Sequence, residues 1–275
     1  MKKLIKNLII KLFRAFGIQL IKKSRFDLLS DFSSVWYNRH NQRRQEHLAT
    51  LNLDIFGKTV LEVGAGIGDH TTFWLDRKGD ILITEARKEN LGLLRSRFPE
   101  QKIQFLDLDD AENIVLDRKF DIVYCYGLLY HLKNPEKAIE FMSNHCLSML
   151  LLETCVSFGD AEQINRTKED DNPTQAYSGI GCRPTRIWVF NQLKKYFEHI
   201  YVPLTQPAHP EFPLDWTKES KSYLSRAVFI ASKEIIHNEL LVSYLPKKQF
   251  VDINDYHKEK KSQNLRYFDF LGKIL

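Results

Sequence analysis

Short apolar runs separated by mixed polar segments recur through the middle of the chain, and five of them share one character. Thr59–Val63 reads TVLEV, Asp80–Glu85 reads DILITE, Ile103–Leu106 reads IQFL, Phe120–Cys125 reads FDIVYC and Met149–Glu153 reads MLLLE. Near-continuous apolar runs of this length, rich in β-branched residues, are expected of strands covered on both faces. The segments between them are long enough for helices, and Phe190–Tyr196 lies within one such helical stretch. Strand and helix alternating in this way predict an α/β fold with a doubly wound, largely parallel sheet and helices on both faces.

The first run passes directly into Gly64-Ala65-Gly66-Ile67-Gly68. Alternating glycines at a strand end permit positive φ and leave bare backbone for a ligand to approach. Their spacing differs from the dinucleotide pattern, which places glycines first, third and sixth before a pyrophosphate. Glu62 sits two residues before Gly64, where a carboxylate repels phosphate but accepts an ammonium group. The second run ends in Glu85, about 20 residues after the loop, where a carboxylate can accept ribose hydroxyls.

Together these residues resemble motif I of the class I S-adenosylmethionine (SAM) methyltransferases, and the resemblance extends over roughly residues 40–233. It implies a Rossmann-like seven-stranded sheet, mostly parallel with one antiparallel strand, closed by an antiparallel pair at His199–Leu204 and Arg226–Ser232. SAM is the implied cofactor, with Glu62, Gly64, Ala65, Gly66, Gly68 and Glu85 around it. Asp109 matches the family position beside the adenine amino group, with Asp107 and Asp110 as competitors, and Tyr126 ends the strand that faces the sulfonium.

The stretch GLLYHLKNP, followed by LLLETCVSFGD and a loop closing on CRPT, is similar in layout to the SAM-dependent enzymes that modify wobble uridine in tRNA. In that branch the LYH tyrosine and a later arginine engage a carboxylated SAM, which makes Tyr130 and Arg183 the matching candidates. The pattern GKTVLEVGAGIGDHT with CRPTR also resembles a broad bacterial group of methyltransferases for which a sugar or other small polar acceptor is expected. His131, just past the fourth strand, is a candidate general base, because imidazole exchanges protons near neutral pH. A helix-start histidine bonded to nearby backbone is the competing reading. Glu153, at the end of the fifth strand, is a candidate for orienting an acceptor hydroxyl, against a structural carboxylate. Arg183 also suits an anionic acceptor.

Composition adds boundaries. A chain of 275 residues with 43% hydrophobic content can bury one full-sized core. The first 25 residues hold eight Lys or Arg and no acid, whereas the rest has 32 basic and 35 acidic residues. Leu4, Ile5, Leu8, Ile9, Leu12, Phe13 and Phe16 recur there at helical spacing, giving a basic amphipathic helix too interrupted by lysine to cross a bilayer. Its three readings are docking on the domain, contact of residues 1–23 with an anionic inner-membrane surface, and contact with nucleic acid. Cys125, Cys146, Cys155 and Cys182 are widely spaced, as reduced thiols of a cytoplasmic protein would be, and no histidine spacing suggests a metal site. The expected organisation is a helical segment over 1–35, a methyltransferase domain over 36–233 and an accessory segment over 234–275. Insertions at 156–185 and 205–221 are candidates for a lid and for a proline-stiffened wall.

Overall fold

The structure is a computed structural model that describes residues 30–261 except 31, 112, 113, 115, 171, 173, 220, 221 and 223. The basic segment 1–23 and the terminal Arg266, Tyr267, Phe268 and Phe270 lie outside the described residues. Elements follow in the order α1 (Val35–Thr50), β1 (Thr59–Val63), α2 (Thr71–Leu75), β2 (Asp80–Glu85), α3 (Lys88–Arg97), β3 (Lys102–Phe105) and β4 (Phe120–Tyr126). A 3₁₀ turn (Leu129–His131), α4 (Pro135–Asn144), β5 (Cys146–Cys155), β6 (Ile164–Lys168), β7 (Ile180–Pro184) and α5 (Arg186–Lys194) come next. β8 (His199–Pro203), β9 (Arg226–Ser232) and β10 (Leu241–Val242) follow, and residues 253–261 are helical.

The main sheet runs β10-β8-β9-β5-β4-β1-β2-β3. Strands β1 to β5 are mutually parallel, and β9 pairs antiparallel with both β5 and β8. Seven of these strands follow the expected arrangement. The eighth is an addition: Leu241 and Val242 of the carboxyl-terminal stretch pair antiparallel with Val202 and Pro203, so a second strand reverses direction at that edge. Two residues of pairing carry too weak a periodicity to stand out in sequence.

The two-residue alternation of the strands divides the core into two layers. Leu61, Val63, Val123, Cys125, Leu150, Leu152 and Phe229 pack on one face of the sheet. Val60, Ile122, Tyr124, Leu151, Val228 and Ile230 pack on the other. Each such buried side chain contributes roughly 1.5–3 kcal/mol relative to exposure, which explains why these runs read so clearly. All four cysteines are free and buried.

The insertion at 156–185 folds into a two-stranded antiparallel hairpin, β6 with β7, which stands outside the main sheet. The 205–221 segment is held by residues further along the chain. Thr205 bridges Phe250, Asp215 bridges Lys248, and Trp216 donates its Nε1–H to Gln249 Oε1 at 2.6 Å. Among the described residues no helix is long and apolar enough to cross a membrane.

Candidate active site

The strand order reverses between β1 and β4, and in open α/β sheets ligands bind beyond the carboxyl ends of the strands at such a point. A cavity of about 760 Å³ opens there. Gly64 and Gly66 adopt φ of 68° and 60° in the turn that leaves β1. A Cβ on Gly64 would come within 2.8 Å of Leu128, so this turn also lets the β4 loop lie close above it. Gly64, Ala65 and Gly66 line the cavity. Gly68 faces elsewhere: a Cβ there would collide with Phe98 and Leu94, so its role in this structure is close packing of the turn on α3.

Two carboxylates rise from neighbouring strand ends. Glu62 is buried and accepts a hydrogen bond from Thr71 Oγ1 at 2.6 Å, and burial pushes its carboxyl up to about 8. Glu85 is also raised by burial, although backbone N–H groups counter the effect. Its Oε2 accepts from Gly66 N at 2.8 Å and its Oε1 from Arg87 N at 2.8 Å and Ala86 N at 3.0 Å. Glu85 therefore shapes the glycine turn as well as lining the cavity. Asp109 accepts from Asn134 N at 2.9 Å and Lys133 N at 3.2 Å, which ties the end of β3 to the loop before α4. Asp107 accepts from Asp109 N and lines the cavity beside it.

The hairpin covers one side of the cavity. Glu169, just beyond β6, accepts hydrogen bonds from Ala176 N at 2.7 Å and Arg183 Nη1 at 3.2 Å, and pairs with His131 Nδ1. Burial lowers the basicity of His131, and Glu169 offsets part of that. Burial would raise the Glu169 carboxyl, but the bonds from His131, Ala176 and Arg183 leave it lowered. The state consistent with both directions is a carboxylate receiving the Nδ1–H of a neutral imidazole, which leaves Nε2 as an acceptor. Gly181 permits this close seating, since a Cβ would lie 2.6 Å from the Tyr130 carbonyl oxygen. On the far side Arg87 Nη2 donates to Ala176 O at 3.0 Å, so the hairpin is fastened at two places.

Tyr130 lies between two guanidinium groups. Arg183 Cζ is 4.9 Å and Arg226 Cζ 4.8 Å from its ring centroid, and Arg226 Nη2 donates to the phenol oxygen at 3.1 Å. Arg183 is engaged with Glu169 and the carbonyls of Tyr130 and Cys182. Tyr126 stacks on Tyr124 at 4.4 Å between centroids and lines the cavity, its buried hydroxyl without a hydrogen-bond partner among the described residues.

Glu153 is placed behind this wall with no exposed surface. Its Oε2 accepts from Arg44 Nη1 at 2.7 Å and its Oε1 from Arg226 Nη1 at 3.0 Å. Burial alone would raise this carboxyl, but the two arginines hold it below the usual carboxylate range. The structure thus gives Glu153 two cations to hold.

Arg44, Arg226, Glu169 and His40 also line the cavity, and sequence reading named none of them as site candidates. The one signal for α1 was polar: His40, Arg44 and His47 recur at helical spacing, and all three are buried. Gly127 marks the same feature, because a Cβ there would lie 2.9 Å from Arg44 Nη1.

Residues 61–148, from β1 into β5, match a family described as a methyltransferase domain. Residues 61–148 thus form a methyltransferase domain, in the fold of the class I SAM-dependent enzymes. This methyltransferase domain is 30% identical over 119 residues to tRNA U34 carboxymethyltransferase of Ectopseudomonas mendocina (strain ymp). That match takes in 41% of this chain and 37% of the relative, so the chain spans little more than a third of that protein. In fold it is similar to the N-terminal domain of EvdMO1, solved in the presence of S-adenosylhomocysteine (SAH) and D-fucose, with a TM-score of 0.52 and 19% identity over 72% of this chain and 84% of that one. Magnesium protoporphyrin IX methyltransferase (ChlM) from Synechocystis PCC 6803, solved with bound SAH, gives 0.50 and 14% over 83% and 100%.

Proposed function

We propose that the protein transfers the methyl group of SAM to an oxygen of a small polar or carbohydrate acceptor. The observation that carries this reading is the single cavity running from the glycine turn and Glu85 to Tyr130, His131 and Arg183 under the hairpin. A space of that size suits a cofactor with a small partner. SAM fits the residues present: Glu62 for the ammonium, Gly64, Ala65 and Gly66 as bare backbone, Glu85 for ribose hydroxyls, Asp109 or Asp107 at the adenine end, and Tyr126 toward the sulfonium. When bound, SAM supplies an electrophilic methyl group. The protein's part is to hold an acceptor oxygen in line with it, since positioning alone can account for much of such catalysis. His131 takes the acceptor proton on Nε2 while Glu169 fixes the ring through Nδ1. Tyr130, with Arg183 and Arg226 on its ring, forms the acceptor-side wall. An acceptor of the sugar class agrees with the D-fucose present with the EvdMO1 domain.

A second reading, transfer to RNA, is favoured by the partial match to the tRNA U34 enzyme. A SAM-binding module without catalysis is the third. The test is to incubate the purified chain with SAM and separate sugar, nucleotide and tRNA pools, and to follow SAH formation and label transfer. Methylation confined to the sugar or small-metabolite pool supports the proposal. Transfer only to tRNA replaces it with the second reading, and SAM binding without turnover in any pool replaces it with the third.

A further inference from the structure

Beside the cavity, α1 and the 205–221 segment bring together three side chains that neither cofactor nor acceptor reading uses. His40, His209 and Glu211 each present a ligand atom, and these atoms all lie within 4.8 Å of one another. His40 projects from the middle of α1. His209 and Glu211 stand two residues apart on a turn with Pro207 and Pro210, closed by His209 N to Pro207 O at 2.7 Å and Phe212 N to His209 O at 3.0 Å. Spacing so remote in sequence explains why no metal motif was visible there.

Both imidazoles are buried, at 4% and 5% exposure, and the Nε2 atom of each has no hydrogen-bond partner among the described residues. A buried polar atom left unpaired is costly, and here two of them sit in one cluster with a carboxylate. Glu211 is oriented from both sides: Arg226 Nε donates to Oε2 at 2.6 Å and Trp36 Nε1 to Oε1 at 3.3 Å. His40 Nε2 lies 3.7 Å from Glu211 Oε2, beyond a hydrogen bond and close to the separation of two ligands sharing an ion.

We propose that His40, His209 and Glu211 form a binding site for a divalent transition-metal ion on the wall of the cavity. Two imidazoles and one carboxylate suit zinc or iron(II)-type ions, whereas magnesium and calcium prefer oxygen sets. The charges point the same way. Glu153 and Glu211 offset Arg44 and Arg226, so the cluster has no net negative charge to attract a hard cation, and affinity must come from direct ligation by nitrogen. Ligation through His209 Nε2 moves its ring proton to Nδ1, so the long 3.4 Å approach of the Glu211 N–H to that atom opens by a small ring rotation. His40 and Glu211 both line the cavity, which places the ion beside the space assigned to the acceptor.

The experiment needs neither SAM nor an acceptor. The full chain is stripped with a chelator, titrated with cobalt(II) while visible absorption is followed, and then competed with zinc(II). One ion per chain is expected, with affinity falling by about 100-fold or more in His40→Gln and in His209→Gln. His199→Gln, at a half-buried histidine of β8 outside the cluster, should bind as wild type. Circular dichroism identifies any variant that fails to fold, and the two variants lie on separate elements. The proposal is overturned by a wild-type chain without saturable binding, or by unchanged affinity in a folded His40→Gln or His209→Gln variant.

Discussion

Arg44 of α1 donates its Nη1–H to Glu153 Oε2 of β5 at 2.7 Å, joining residues 109 positions apart within the core of the domain. The same carboxylate accepts from Arg226 at its other oxygen, and Arg226 also donates to Glu211, so Glu153 bridges both buried cations and is the carboxylate partner of Arg44. Replacing Glu153 with alanine leaves buried Arg44 without a carboxylate partner and Arg226 with Glu211 alone. Removal of one partner from a buried pair costs about 3–5 kcal/mol, and that loss is expected in urea unfolding of Glu153→Ala. A change under about 1 kcal/mol would mean that Arg44 and Arg226 find other acceptors and that the cluster does not hold α1 to the sheet.

This network also marks the limit of what the sequence displays. Strands β1, β2, β4 and β5 are legible because their side chains are apolar and buried on both faces, and Gly64 and Gly66 because a positive-φ turn demands them. Helix α1 buries His40, Asn41, Arg44 and His47, so its inward face looks like a solvated one. Its partners Glu153, Thr205 and Glu211 become neighbours only through tertiary folding. The pairing of Glu169 with His131 depends on the fold-back of β6 and β7, which no local periodicity encodes. Gly68 has a second reason to be glycine: its φ is 85°, and Phe98 and Leu94 leave no room for a Cβ.

Glu85 tests the cofactor side. With its oxygens already accepting from Gly66, Ala86 and Arg87, a bound ribose would use the remaining lone pairs. Glu85→Ala is expected to weaken SAM binding by roughly 1.5–3 kcal/mol, measured by calorimetry. Unchanged affinity in a folded variant would remove Glu85 from the ribose site.

Glu62 gives that binding a pH signature. Burial raises its carboxyl to about 8, so at pH 7 the protein without SAM carries a largely protonated Glu62. An ammonium group placed against it favours the ionised form, and binding then releases a proton. SAM affinity should therefore rise with pH between about 6 and 7.5, by at most tenfold per unit. Calorimetry in buffers of different ionisation enthalpy counts the proton. Glu62→Gln should lose this dependence, and a wild-type chain that releases no proton would place the ammonium elsewhere.

The His131–Glu169 pair carries the chemical proposal. Burial lowers the basicity of His131 below the ordinary value of about 6.5, so the base is already neutral at pH 7. For a given acceptor, kcat should be level around neutrality and fall on the acid side with a midpoint below 6.5, not rise through pH 7. His131→Ala should lower kcat by about 10²–10⁴-fold with SAM affinity retained. Glu169→Gln removes the charge that partly restores His131 basicity, so its acid limb should move to still lower pH while kcat drops through loss of ring orientation. Stability follows the same sign: a histidine lowered on folding stabilises the native state above its unfolded value and loses that contribution as pH falls. Wild-type kcat and an unmoved acid limb in Glu169→Gln would reduce the pair to a latch for the hairpin, leaving positioning of the acceptor as the source of catalysis.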